Sequence, residues 1–150
     1  MVKSEGGKVE VSVLFAYYVD NRYICRMEHP FEKLEVWQKS RKLVKIIYQL
    51  VALFPLNERH GLSDQLRRAV ISVSSNLAEG SGRISYKEKS HFCEIAYGSL
   101  MEVCCQLMLA VDLGFLTESD IEDPMALIDE LDRQLCAFRR HLVSKANGSA

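Results

Sequence analysis

A chain of 150 residues with 48% apolar and 26% charged side chains has the composition of one folded domain, long enough to bury a core without covalent staples. Its formal net charge of −1 excludes a chain drawn as a whole to nucleic acid or an anionic membrane, so any such role needs a local patch. The cysteines, Cys25, Cys93, Cys104, Cys105 and Cys136, are odd in number and contain no CxxC spacing, which favours reduced core thiols in a cytoplasmic protein over a disulfide framework.

Residues 1–26 read unlike the rest, with a glycine pair, one short β-prone run and no helical period. The run over residues 11–19 lacks the flanks and cleavage site of a secretory signal. Either translation starts at Met27, or residues 1–26 are a loosely attached N-terminal extension or a short edge strand or arm, with 27–150 as the domain. No unbroken run of about 20 apolar residues exists, so no membrane span is expected.

The first helix is expected over 32–53, ended by Pro55, because proline disfavours helix in the residue before it. Leu34, Trp37, Val44, Ile47, Val51 and Phe54 form one apolar row, and Leu43, Ile46, Leu50 and Leu53 a second beside it. Gly61 breaks the chain before a second helix, whose stripe is Leu62, Leu66, Ala69, Val70, Val73 and Leu77. Small residues at Ser72, Ser74, Ser75 and Ala78 permit close backbone approach, and Gly80 and Gly82 are natural stops.

Ser85 with Glu88 fits a capping box that opens the third helix, and Gly114 suits a left-handed cap at its end. This helix carries two apolar stripes: Phe92, Ala96, Ser99, Val103, Leu107 and Ala110, then Tyr97, Met101, Cys104, Met108 and Val111. Only His91, Glu94, Gly98, Glu102 and Gln106 remain as a polar row. One stripe suffices for a lone bundle, so Tyr97, Met101, Cys104, Met108 and Val111 are candidates for an oligomer interface. The fourth helix follows Thr117, with Asp123-Pro124 either its true cap and first position or a kink after a preliminary turn. Short connections make successive helices antiparallel neighbours, so the fold class is all-α, an up-down-up-down four-helix bundle.

Chemistry is sparse. Glu88-x-x-His91 matches half of a di-iron carboxylate pattern, but no second copy exists and Glu88 already serves as a capping residue. Gly80-Ser81-Gly82-Arg83 lacks the strand and lysine of a phosphate loop and reads better as a turn. No catalytic, cofactor or metal site is expected. Cations gather at Lys33, Lys39, Arg41, Lys42 and Lys45, at Arg67 and Arg68, and at Arg133, Arg139 and Arg140, whereas the fourth helix opens with Glu118, Asp120, Glu122 and Asp123.

A resemblance adds to this. Phe31-Glu32-Lys33-Leu34-Glu35-Val36-Trp37-Gln38 is followed in order by Gly61-Leu62 with Gln65-Leu66-Arg67-Arg68-Ala69, then Asn76-Leu77-Ala78-Glu79-Gly80-Ser81-Gly82-Arg83. Ile95-Ala96-Tyr97-Gly98-Ser99-Leu100 with Glu102, and Leu113-Gly114-Phe115-Leu116, complete a series spanning about residues 28–144. Together they resemble the bacterial four-helix-bundle family of proteins encoded in intervening sequences of 23S ribosomal RNA genes. That resemblance implies a pentameric ring, a homo-oligomer with no cofactor. It also implies kinship with the accessory variability protein of diversity-generating retroelements, which binds a reverse transcriptase and RNA through a basic surface. This chain departs there in being near neutral, with an acidic start to its fourth helix. The expectation is a cytoplasmic, non-catalytic oligomeric accessory protein whose partner is RNA or a nucleic-acid enzyme, met through Lys39, Arg41, Lys42, Arg67, Arg68 and Arg83. A protein-interaction scaffold without a nucleic-acid role, or an enzyme with a cryptic site, are the alternatives.

Overall fold

The computed structural model describes residues 29–148, so the extension expected over residues 1–26 lies outside the described residues. Four long helices carry the fold: α1 (Glu35–Leu50), α2 (Leu62–Ser81), α3 (Tyr86–Asp112) and α4 (Glu118–Asn147). Short 3-10 turns at Pro30–Lys33, Val51–Leu53 and Leu56–His60 flank α1 and lead into α2, and there is no strand among the described residues. Each helix packs on its neighbours in sequence and α1 also packs on α4, whereas neither α1 with α3 nor α2 with α4 makes a close backbone approach. The four therefore stand at the corners of a bundle around one core.

The first expected helix is divided. Leu34, at φ −76° and ψ 116°, is extended and separates the Pro30–Lys33 turn from α1, so the helix starts at Glu35 and not at residue 32. At its far end the chain tightens into the Val51–Leu53 turn, and Phe54 is extended ahead of Pro55 as the proline ring requires. The buried face is Val36, Ser40, Leu43, Ile47 and Leu50, continued by Val51 and Phe54. That face mixes the two rows read from sequence, while Leu34, Trp37, Val44 and Ile46 pack at its edges and Leu53 is exposed.

Helix α2 opens through a device that the periodicity does not reveal. The Leu62 N–H donates to Glu58 Oε2 at 3.2 Å, so a carboxylate from the preceding turn caps the helix. Gly61 leaves room for it, since a Cβ there would lie 2.4 Å from that oxygen. The stripe Leu66, Ala69, Val70, Val73 and Leu77 is buried as expected. Gly80 is not a stop but a buried contact inside the helix, where an added Cβ would come within 2.8 Å of the Phe92 Cβ. With Ser72 and Ser99 sharing a 2.8 Å hydroxyl hydrogen bond, α2 and α3 approach closely along small residues.

Helix α3 is capped by Ser85, whose Oγ accepts from the Glu88 N–H at 3.2 Å and donates to Glu88 Oε2 at 2.9 Å. Its core face is Cys93, Ala96, Leu100, Val103, Leu107 and Ala110. Gln106, expected in the polar row, is buried instead. By length and composition α3 suits a membrane span, as the core helix of a bundle also does. Gly114 at φ +73° ends it in the left-handed conformation that glycine adopts without penalty. Thr117 then caps α4 reciprocally: the Asp120 N–H donates to Thr117 Oγ1 at 3.3 Å, and the Thr117 N–H donates to Asp120 Oδ2 at 2.8 Å. Thus α4 begins a turn before Asp123-Pro124 and continues through a buried Pro124.

Candidate interaction surfaces

Most of the cations singled out by sequence are tied down within the fold. Lys39 has a largely covered side chain, and its Nζ reaches Glu35 at 2.6 Å and Glu130 at 2.5 Å, bridging α1 to α4. The hydrogen bond to Glu130, then that to Glu35, raises the Lys39 pKa above the ordinary lysine value. The reciprocal bond from Lys39, with one from Gln134, lowers that of Glu35. Arg67 pairs with Asp64 at 2.9 Å one turn earlier. Arg83 pairs with Glu79 and lies over the Phe92 ring, 4.6 Å from its centroid. Arg41 stands 4.9 Å over the Trp37 ring, leaving its charge exposed. Lys42 and Arg68 are exposed and make no ion pair among the described residues. The six residues are spread over α1, α2 and the α2–α3 turn, not gathered in one cleft.

The five apolar interface candidates have a different setting. Tyr97, Met101, Cys104 and Val111 are partly buried against the core, and Met108 alone of the five is exposed, at 55%. Helix α4 supplies the cover. Asp132 of α4 acts on the Tyr97 phenol and raises its pKa, and Cys93 Sγ donates to the Leu135 carbonyl at 3.7 Å. Arg139 Nε pairs with Glu94 at 3.0 Å along the same seam. Met108 and Val111 line an open groove of about 760 Å³ between α3 and α4, with Ile121 and Met125 in its wall and Asp112, Glu118, Glu122 and Asp129 also lining it.

Besides Met108 and Tyr86, apolar side chains stay uncovered on α3 and at its cap along the row assigned to solvent. Ile95, Leu109 and Leu113 are 39%, 44% and 59% exposed, with Gly98, Glu102 and Cys105 between them. Ile71, on the neighbouring α2, is exposed as well. Counting 3.6 residues per turn from Ile95 through Leu109 to Leu113 would have found this row, because all three project from one side of the helix.

Little in the described residues is arranged for covalent chemistry. Burial pushes the Cys93 thiol up to about 11, so it is held as a thiol and not as the nucleophilic thiolate. A cavity of about 250 Å³ beside it is walled by Leu34, Leu77, Gly80, Phe138 and Leu142, with His141 and Lys89 also lining it. No group of three metal-ligating side chains occurs among the described residues. Glu88 is engaged by Ser85, and His91 lies beside the Phe92 ring at 5.9 Å.

Comparison with known proteins agrees with this architecture. A crystal structure of a protein of unknown function from the S23 ribosomal protein family of Bacteroides thetaiotaomicron VPI-5482 superposes with a TM-score of 0.64. It is 22% identical and covers 69% of this chain and 97% of its own, a likeness in fold. No curated protein matches the chain. The family model described as 23S rRNA-intervening sequence protein matches residues 32–137, from the Pro30–Lys33 turn to the second half of α4, and the chain belongs to that family.

Proposed function

We propose that the protein is a non-catalytic accessory protein of the bacterial cytoplasm that works as a homo-oligomer, a pentameric ring of up-down-up-down bundles. One observation carries the reading: large apolar side chains are left uncovered along one side of α3, at Ile95, Leu109 and the capping residue Leu113, and Ile71 is exposed on the neighbouring α2. Large apolar side chains left exposed along one side of a helix are of the kind that mark an interaction site. The antiparallel order is supported by the seam between α1 and α4, where Glu35 meets Gln134 and Lys39 meets Glu130, partner numbers falling as the helix advances.

RNA or a nucleic-acid enzyme is the second reading for the partner, favoured by the exposed charges of Arg41, Lys42 and Arg68. Repetition of these around a ring would build a basic surface from a nearly neutral chain. Solution mass and RNA affinity of the full chain, at low and physiological salt, test both readings. Expected are an oligomeric mass and RNA binding that weakens steeply with salt, the slope reporting phosphate contacts through counterion release. An oligomer that binds no RNA even at low salt turns the reading to a protein-interaction scaffold, and a monomer removes the oligomer.

A further inference from the structure

Helices α1 and α3 carry opposite charge and sit at opposite corners of the bundle. After Glu35, α1 contains no acid, and its exposed outer side presents Arg41, Lys42, Lys45 and Tyr48. From Ser90 onward α3 contains no lysine or arginine, and its exposed row carries Glu102 between Gly98 and Cys105. Because α1 and α3 stand diagonally across the core with no close backbone approach, their exposed outer faces point away from each other and cannot neutralise one another in a single chain.

Gly98 adds a second, independent mark. A glycine in the middle of a 27-residue helix weakens it relative to alanine, so its presence calls for something that must come close. Nothing in the bundle does: a Cβ built at Gly98 has no atom within 4 Å, whereas one at Gly80 meets Phe92 at once. The space above Gly98 is flanked by exposed Ile95 on one side and Glu102 on the other. Glu102 is held in place by Gln106, whose Nε2 donates to its Oε1 at 2.9 Å. The row therefore has a low point, an apolar flank and a fixed negative charge.

Resting on the oligomer reading above, we propose that a second copy of this chain lays the outer side of its α1 across α3 at Gly98, bringing its Lys45 to Glu102 and its Tyr48 against the apolar side chains of the row. The contact is head-to-tail: each copy offers α1 to one neighbour and α3 to the other. An interface of this type generates rings when the rotation closes. Charge complementarity calls for a cationic partner face, and α1 beyond Glu35 offers one with Arg41, Lys42 and Lys45 exposed and no acid among them; α4 beyond Asp132 is also free of acids, but its Arg139 is already paired with Glu94 of the same chain.

Sedimentation of the full chain tests the contact. Gly98→Gln is expected to turn the oligomer into a monomer of unchanged helical circular dichroism, because the new side chain enters open space in its own bundle. Glu102→Lys and Lys45→Glu are each expected to weaken association by more than about tenfold, since like charges then face one another. Combining the two substitutions in one chain is expected to restore it. A native oligomer that Gly98→Gln and Glu102→Lys leave intact overturns this contact while sparing the oligomer reading. Dissociation by the α3 variants without rescue by Lys45→Glu overturns the pairing with α1. A native chain that is monomeric at every concentration overturns both.

Discussion

At Gly80 a methyl group would place a Cβ 2.8 Å from the Phe92 Cβ, in the seam between α2 and α3. The Ser72–Ser99 hydrogen bond joins the same two helices further along. Gly80→Ala is therefore expected to lower unfolding stability by about 1–3 kcal/mol, the usual range for overpacking, measured by urea denaturation. Asp120 supplies a pH-dependent test. Its pKa is lowered by the Thr117 hydroxyl first and the Thr117 backbone N–H second. A carboxylate with a depressed folded pKa contributes stability that is fully present above its unfolded value, near 3.8, and is lost as pH falls through the folded one. The stability difference between the native chain and Asp120→Asn is expected at neutral pH and should vanish in acid below both values; a constant difference would rule out the carboxylate. Thr117 was legible in the sequence as the residue that α4 follows, but the reciprocal cap with Asp120 was not. The roles of Gly61 and Gly80 were not legible either, because a glycine looks the same whether it ends a helix, clears room for a cap or admits a neighbouring ring.

Helix by helix, the stripe on α2 was fully legible, since one apolar face at a steady period leaves a single way to bury it. Helix α3 was not. Its apolar residues extend round most of the circumference, and the faces that end up covered depend on where α2 and α4 stand. Thus Tyr97, Met101, Cys104 and Val111 lie against the core while Ile95, Leu109 and Leu113 remain outside. The division of the first helix at Leu34 and Leu50 also escaped, because strong helix formers there give no local stop signal. Leu100 is fully buried on the face that α3 turns to the core. Its replacement by alanine should cost about 2–5 kcal/mol through lost transfer energy and the cavity left behind, measured by thermal or chemical unfolding. The same change at exposed Leu113 is expected to stay within about 0.5 kcal/mol in a monomeric sample, where nothing covers it.

Across the whole molecule, the formal charge of −1 conceals a polarised arrangement: cations along α1, carboxylates over the first two turns of α4. Composition showed the total but not the pairing, which commits Lys39, Arg67 and Arg83 to internal partners and leaves Arg41, Lys42 and Arg68 more available. Association of folded copies couples stability to concentration. The full chain is therefore expected to melt at a higher temperature as its concentration rises about a hundredfold, and a midpoint that does not move would mark a monomer. The order of helix contacts has a consequence in time as well. Three of the four packed pairs join consecutive helices, and only α1 with α4 closes across the length of the domain. During synthesis α2 and α3 can zip together as soon as both have left the ribosome, but Glu35 and Lys39 must wait for Glu130 and Gln134. Until those residues emerge, the nascent chain holds an open trough along α1 and α3 that α4 later covers.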